Sequence, residues 1–188
     1  MGIFKRSREK HALAIAMTGV KLGDRLLQVG CTDASLLAAV SSKVGMSGRA
    51  CVLVQSDDET ARALRTADRA GLLLEVEKAP LDVFPYEDHA FDLIVIDNRE
   101  GLLSNVKPER RVAALQQARR TLAPRGRIVV IERAPRAGLG ALVSRTATQA
   151  DPHYQNSGGA ITALKAEGFR AVRRLAERDG MSFFEGIG

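Results

Sequence analysis

The stretch DRLLQVGCTDASLLAAV (residues 24–40) contains a short apolar run, Leu26, Leu27 and Val29, interrupted only by Gln28 and ending at Gly30. Leu36, Leu37 and Val40 then recur at helical spacing, so the segment reads as strand, tight turn and helix. That is the shape of a cofactor-binding corner, in which glycines let the backbone turn sharply and approach a ligand. Here only Gly30 is present; Cys31, Thr32, Asp33 and Ala34 occupy the rest of the turn. A dinucleotide-binding loop needs three spaced glycines, and one of them is a weak signal for that class.

Outward from this corner the same alternation continues. A helix is expected over 5–20, with Leu13, Ala16, Met17 and Val20 on one face. Strands are expected at 25–30, 50–54, 72–78, 91–98 and 127–132, with helices at 35–45, 56–71, 107–126 and 158–169 between or after them. The 56–71 helix carries its own punctuation, with Ser56 and Glu59 at capping-box spacing and Gly71 at the C-terminal stop. The 107–126 helix opens near Pro108 and places Val112, Leu115, Ala118 and Leu122 on its buried side. RAVRRLAE and MSFFEGI then read as two strands joined at Asp179-Gly180, a hairpin signal. The order predicts an α/β fold, a doubly wound, mostly parallel sheet with helices on both faces and an antiparallel edge strand from the closing hairpin. Ligands in such sheets sit outside the carboxyl ends of the strands, near the first strand.

The 188 residues are read as a single domain, with 1–22 as an N-terminal helical extension. Apolar content of 45% and charged content of 27% are ordinary for a globular chain, and the absence of Trp leaves a core of Leu, Val, Ile and Ala. The net charge of +6 is spread along the chain, with 21 of its 28 cations arginines. It permits an acidic or nucleic-acid partner without demanding one. Two cysteines, Cys31 and Cys51, form no ligand cluster, so neither a disulfide framework nor a metal site is indicated. The apolar run at 12–17 is short, no small-residue cleavage pattern follows it, and Arg6 stands where a myristoylation motif takes Ser or Thr. No membrane attachment and a cytoplasmic location are therefore expected.

Five windows in order carry a resemblance to a known family: LLQVGCTDA, CVLVQSDDETARAL, FPYEDHAFDLIVIDN, ARRTLAPRGRIVVIE and LKAEGFRAVRRL. Over nearly its whole length the chain resembles the class I S-adenosylmethionine-dependent methyltransferases, especially small ones acting on diverse metabolites. The resemblance implies a Rossmann-like seven-stranded sheet with strand seven antiparallel, which agrees with the hairpin read independently. It implies S-adenosyl-L-methionine as cofactor and a methyl acceptor, most simply a small molecule.

Carried over by position, the family's cofactor contacts fall on Gln28, Gly30, Cys31 and Thr32 in the first motif, Gln55 and Ser56 after the second strand, and Pro80, Leu81 and Asp82 after the third. Asp97 at the end of the fourth strand is carried over as a further cofactor contact, and is expected to orient or deprotonate the acceptor, or to cap a turn. His153 and Tyr154, in ADPHYQNSGG, are further candidates for reaching over the pocket. The chain departs from the family at each acid: Gln28, Gln55 and Pro80 stand where carboxylates are usual, with Asp82 as a nearby substitute for the last. Thr32 replaces a glycine, and a β-branched residue at positive φ would be strained. A glutamine amide oxygen still accepts a ribose hydroxyl, through a bond weaker than that to a carboxylate. These departures motivate a second reading, a methyltransferase-like protein with weak or lost catalysis serving as a binding or assembly subunit. RNA as acceptor, from the basic charge, is a third.

Overall fold

A computed structural model describes residues 11–134 and 152–188. The elements are α1 (Ala12–Thr18), β1 (Arg25–Val29), α2 (Ala34–Val44), β2 (Arg49–Val54), α3 (Asp57–Ala70), β3 (Leu74–Lys78), β4 (Phe91–Asp97), α4 (Pro108–Thr121), β5 (Leu122–Arg133), α5 (Pro152–Asn156), α6 (Gly159–Ala166), β6 (Arg170–Arg178) and β7 (Met181–Ile187). The strands form one seven-stranded sheet in the order β3-β2-β1-β4-β5-β7-β6. β7 runs antiparallel to both β5 and β6, while β1 to β5 pair in parallel. The α/β doubly wound fold is as the sequence predicts.

Its edge is not. β7 lies inside the sheet and β6 forms the border. Phe183 is fully buried on β7, whereas β6 carries Arg170, Arg173, Arg174 and Arg178 on a largely exposed strand. Charged side chains suit an open edge, and aromatic ones suit a position paired on both sides. The hairpin turns at Asp179 (φ 55°) and Gly180 (φ 73°), the two positive φ values of a tight primed turn.

β1, β2 and β4 are apolar almost throughout because helices cover both faces of the sheet. On one face α4 and α6 pack Ala114, Leu115, Ala118 and Leu164 against Leu27, Leu53, Ile94, Ile96 and Ile128. On the other, α1 and α2 bring Ala14, Leu36, Val40 and Val44 to Leu26, Val95, Val129 and Phe183, and Ala63 of α3 joins Val52 and Val54. Each such fully buried Ile or Leu contributes about 1.5–3 kcal/mol.

The helix punctuation at 56–71 is observed: the Ser56 hydroxyl accepts from the Glu59 amide at 3.2 Å, and Gly71 turns left-handed at φ 60°. Two helix faces differ from expectation. In α1 the buried residues are Ala14 and Thr18, while Ala16 is exposed, and Gly19 (φ 61°) ends the helix; residues 5–10 of the expected helix lie outside the described residues. In α4, Val112 is exposed and Arg111 is buried in its place. Arg111 satisfies its guanidinium on the carbonyls of Leu103 (2.8 Å) and Val106 (3.2 Å) and lies over the Tyr154 ring, so a cation occupies a core-facing position. α4 also stops at Thr121, and Leu122 already pairs with Phe91, so the expected helical stretch to 126 begins strand β5 instead.

Candidate functional site

Gly30 joins three strands at their carboxyl ends. Its φ of 86° lies in the left-handed region, and its amide donates to the Leu53 carbonyl of β2 at 2.8 Å. A Cβ there would stand 3.0 Å from Leu102 and 3.5 Å from the Asp97 carbonyl oxygen, so both conformation and space favour glycine. Thr32 is not strained: among the described residues the non-glycine positive-φ positions are His89, Arg125, Ala171 and Asp179. The turn reaches helix α2 with ordinary backbone angles once past Gly30, and the strain expected at Thr32 does not arise.

The turn's polar groups are held by side chains. Gln28, fully buried, donates its amide to the Gly30 carbonyl at 3.0 Å. Arg62 of α3 donates to the carbonyls of Cys31 (3.1 Å) and Thr32 (3.2 Å). Glu59 accepts from the Gln55 amide at 2.8 Å and, more weakly, from the Cys31 amide at 3.5 Å. Among the described residues, two buried polar atoms at this end of the sheet have no partner, Gln28 Oε1 and Gln55 Nε2. Burial pushes the Cys31 thiol up to about 11, and that of Cys51 to about 12, so both remain neutral, buried and free.

On the side of the turn toward β4, β5 and β7 lies a cleft of about 650 Å³. Thr32 and Asp33 line it from the turn after β1, Arg99 and Glu100 from the segment after β4, Arg133 from β5, Asp179 from the hairpin and His11 from the N-cap of α1. Asp33 caps α2, accepting from the Ser35 and Leu36 amides at 2.9 and 3.3 Å. Burial works against its carboxylate, but the Ser35 hydroxyl, His11 and Arg99 outweigh that and hold it below the usual carboxylate range. Asp97 is fully buried, and both its oxygens are taken by Arg99, at 2.7 and 2.8 Å. Arg99 reaches on toward Asp33 at 3.6 Å, so one guanidinium stands between two carboxylates.

The structure therefore gathers Gln28, Gly30, Cys31, Thr32 and Asp97 around one turn. Gln55 and Ser56 lie at the end of β2, and Ser56 spends its hydroxyl on the helix cap. Beyond β3, Pro80 is exposed, Leu81 is buried in the main core, and Asp82 pairs with Arg110 at 3.1 Å. Of the sequence-selected residues only Thr32 lines the cleft. His153 is exposed on α5, and Tyr154 is buried with its hydroxyl donating to Glu132 at 2.7 Å; neither is among the cleft's lining residues. Residues not singled out from the sequence are Asp33, Glu59, Arg62, Arg99 and Glu132. Glu59 was visible only as a capping residue and Asp33 only as a turn residue, and nothing local marked the other three.

A seven-stranded sheet with one inserted antiparallel strand and a ligand corner after β1 is a methyltransferase architecture. Residues 26–126 match the methyltransferase domain family, and the chain belongs to it, among the class I S-adenosylmethionine-dependent methyltransferases. A SAM-dependent methyltransferase from Aquifex aeolicus superposes with a TM-score of 0.72 at 19% identity, covering 98% of this chain and 96% of its own. The S-adenosylmethionine-dependent methyltransferase SibL gives 0.70 at 22% identity, over 99% of this chain and 56% of SibL. The [4+2]-cyclase SpnF gives 0.67 at 17%, over 95% and 78%. At these identities the likeness is one of fold. No curated protein matches the sequence. Among the described residues no helix is long and apolar enough to cross a membrane.

Proposed function

We propose that the protein is an S-adenosyl-L-methionine-dependent methyltransferase acting on a small-molecule acceptor. The observation that carries this reading is the charge of the cleft beside the Gly30 turn. Its lining holds three carboxylates, Asp33, Glu100 and Asp179, against two guanidiniums, Arg99 and Arg133, with Asp97 behind Arg99. Counting Asp97, four carboxylates outnumber the two guanidiniums and His11 together, so among the described residues the cleft is net negative in either protonation state of His11. The cofactor carries a sulfonium, an ammonium and a carboxylate, so a net negative cleft favours it over its neutral demethylated product. When bound, the cofactor supplies the electrophilic methyl group.

The residues fit a grip made of hydrogen bonds more than of charge. Gln55, with its side-chain nitrogen unpartnered, offers the ribose an amide in place of a carboxylate. Gln28 fixes the Gly30 carbonyl, and Arg62 and Glu59 fix the turn, so the corner is ordered in advance. Each charge-assisted bond replaced by a neutral one costs on the order of 1–2 kcal/mol. Two such exchanges weaken binding by roughly ten- to a few-hundredfold. Asp97 is fully buried with both oxygens bonded to Arg99 and does not reach the cleft, so the reading favours a nucleophile that needs little deprotonation.

The second reading, a methyltransferase fold with weak or lost catalysis serving as a binding or assembly subunit, draws on the same pairing. Glu59, Arg62 and Arg99 already occupy polar groups of the corner, and SpnF, similar in fold, is a [4+2]-cyclase. Calorimetric titration with S-adenosylmethionine and S-adenosylhomocysteine separates the two. Saturable heat, tighter for the sulfonium, supports the enzyme; neither heat nor a thermal shift at millimolar ligand overturns it.

A further inference from the structure

Beneath the cleft lies a buried polar cluster with no part in the reading above. Glu132, near the end of β5, is buried and accepts two hydrogen bonds on one oxygen, from the Tyr154 hydroxyl at 2.7 Å and the Asn98 side-chain amide at 2.8 Å. Its other oxygen lies toward Gly159, in the first turn of α6, where a Cβ would stand 3.7 Å from it. A carboxylate at that end of a helix is favoured by the helix dipole.

The cluster continues into the segment that follows β4. Asn98 accepts the Leu103 and Ser104 amides on its side-chain oxygen, at 2.6 and 3.3 Å, and its backbone amide donates to Ile131 at 2.9 Å. Arg111, lying 4.4 Å over the Tyr154 ring, grips the same segment from behind through the Leu103 and Val106 carbonyls. In front, the segment carries Arg99 and Glu100 into the cleft, and Arg133, next to Glu132, donates to the Arg99 carbonyl at 2.8 Å. A loop whose amides are capped by one buried asparagine has the conformation that asparagine dictates, and the asparagine is oriented by Glu132.

We propose that Glu132, pinned by Tyr154, is a positioning residue that sets the 98–104 loop and so places Arg99 against Asp97 and Asp33. The proposal rests on the cofactor reading only for what the loop faces. Tyr154 thereby acquires a role two steps from any ligand: it orients Glu132, which orients Asn98. The carboxylate is needed as a double acceptor, a capacity that glutamine's amide oxygen retains and alanine lacks.

The test uses the full chain without ligand. Amide exchange at Leu103 and Ser104 and the Arg99 Nε–H resonance are followed by NMR in Glu132→Ala, Tyr154→Phe and Glu132→Gln. Exchange at least about tenfold faster, with loss of the protected Arg99 signal, is expected for the alanine and phenylalanine variants, as from one lost buried hydrogen bond. Glu132→Gln is expected to restore both. Tyr154→Phe, which removes a single oxygen, keeps the test decisive where Glu132→Ala does not fold. Unchanged exchange in Tyr154→Phe, or faster exchange with the Arg99 signal intact, overturns the proposal. A wild type that binds no S-adenosylmethionine overturns the cofactor reading instead, and leaves these signals to decide this one.

Discussion

Arg99 closes on Asp97 two residues before it in the chain, taking both carboxylate oxygens at 2.7 and 2.8 Å while Asp97 has no exposed surface. The pair is asymmetric: the guanidinium keeps 14% of its side-chain surface and a second partner in Asp33, whereas the carboxylate depends on the guanidinium. Arg99→Ala is therefore expected to destabilise the fold by about 3 kcal/mol, the cost of leaving a buried carboxylate without its counter-charge. Removing both members, in Arg99→Ala with Asp97→Ala, should cost less than the sum of the single changes. Denaturant unfolding of the three variants measures this, and strict additivity would show the pair to be uncoupled.

Gln55→Asp places a carboxylate at the end of β2 in exchange for a side-chain amide whose nitrogen lacks a partner. S-adenosylmethionine is expected to bind roughly tenfold more tightly to this variant, the gain from one charge-assisted bond. Calorimetry gives the affinity directly; an unchanged value removes Gln55 from the ribose contact.

Thr32→Gly restores the family's glycine at a position whose backbone is not left-handed. With no strain to relieve, the substitution only adds freedom to the unfolded chain and should lower stability by about 0.5–1 kcal/mol. A thermal melt showing stabilisation would mean that Thr32 is strained after all.

Burial raises the Glu132 pKa, and the bonds from Tyr154 and Asn98 only partly oppose it. The native state thus holds the proton to higher pH than the unfolded chain does. The stability this contributes is fully present below the ordinary glutamate value, about 4.3, and is lost as pH rises through the folded value. Glu132→Gln removes that dependence, so the variant should gain on the wild type between acid and neutral pH. Unfolding free energies across that range check it, and a difference independent of pH would contradict the burial argument.

The order of strands and helices was legible because each element announces itself over five to fifteen neighbouring residues. The Ser56 and Gly71 caps, the apolar β2 and β4, and the Asp179-Gly180 turn all stand as their local chemistry dictates. Faces were less legible. Val112 fits a helical apolar stripe, yet Arg111 is the buried residue, since its guanidinium finds the Leu103 and Val106 carbonyls and the Tyr154 ring, none of them its helical neighbours. The place of β7 inside the sheet likewise depends on what β5 and β6 offer on either side.

For the candidate site the division is the same. The sequence by itself determined the corner at Gly30, the glutamines standing where acids are usual, and the family to which the chain belongs, because these are matters of residue type at fixed spacing. Only the tertiary structure decided that Asp97 is sealed by Arg99, that Glu59 and Arg62 of α3 hold the first turn, and that Tyr154 faces Glu132 and not the cleft. Apart from Arg99 on Asp97 and Glu59 on the Gln55 amide, these contacts join residues 22 to 31 positions apart. Which partner a buried charge finds is set by the packing of separate elements, and a local pattern carries no record of it.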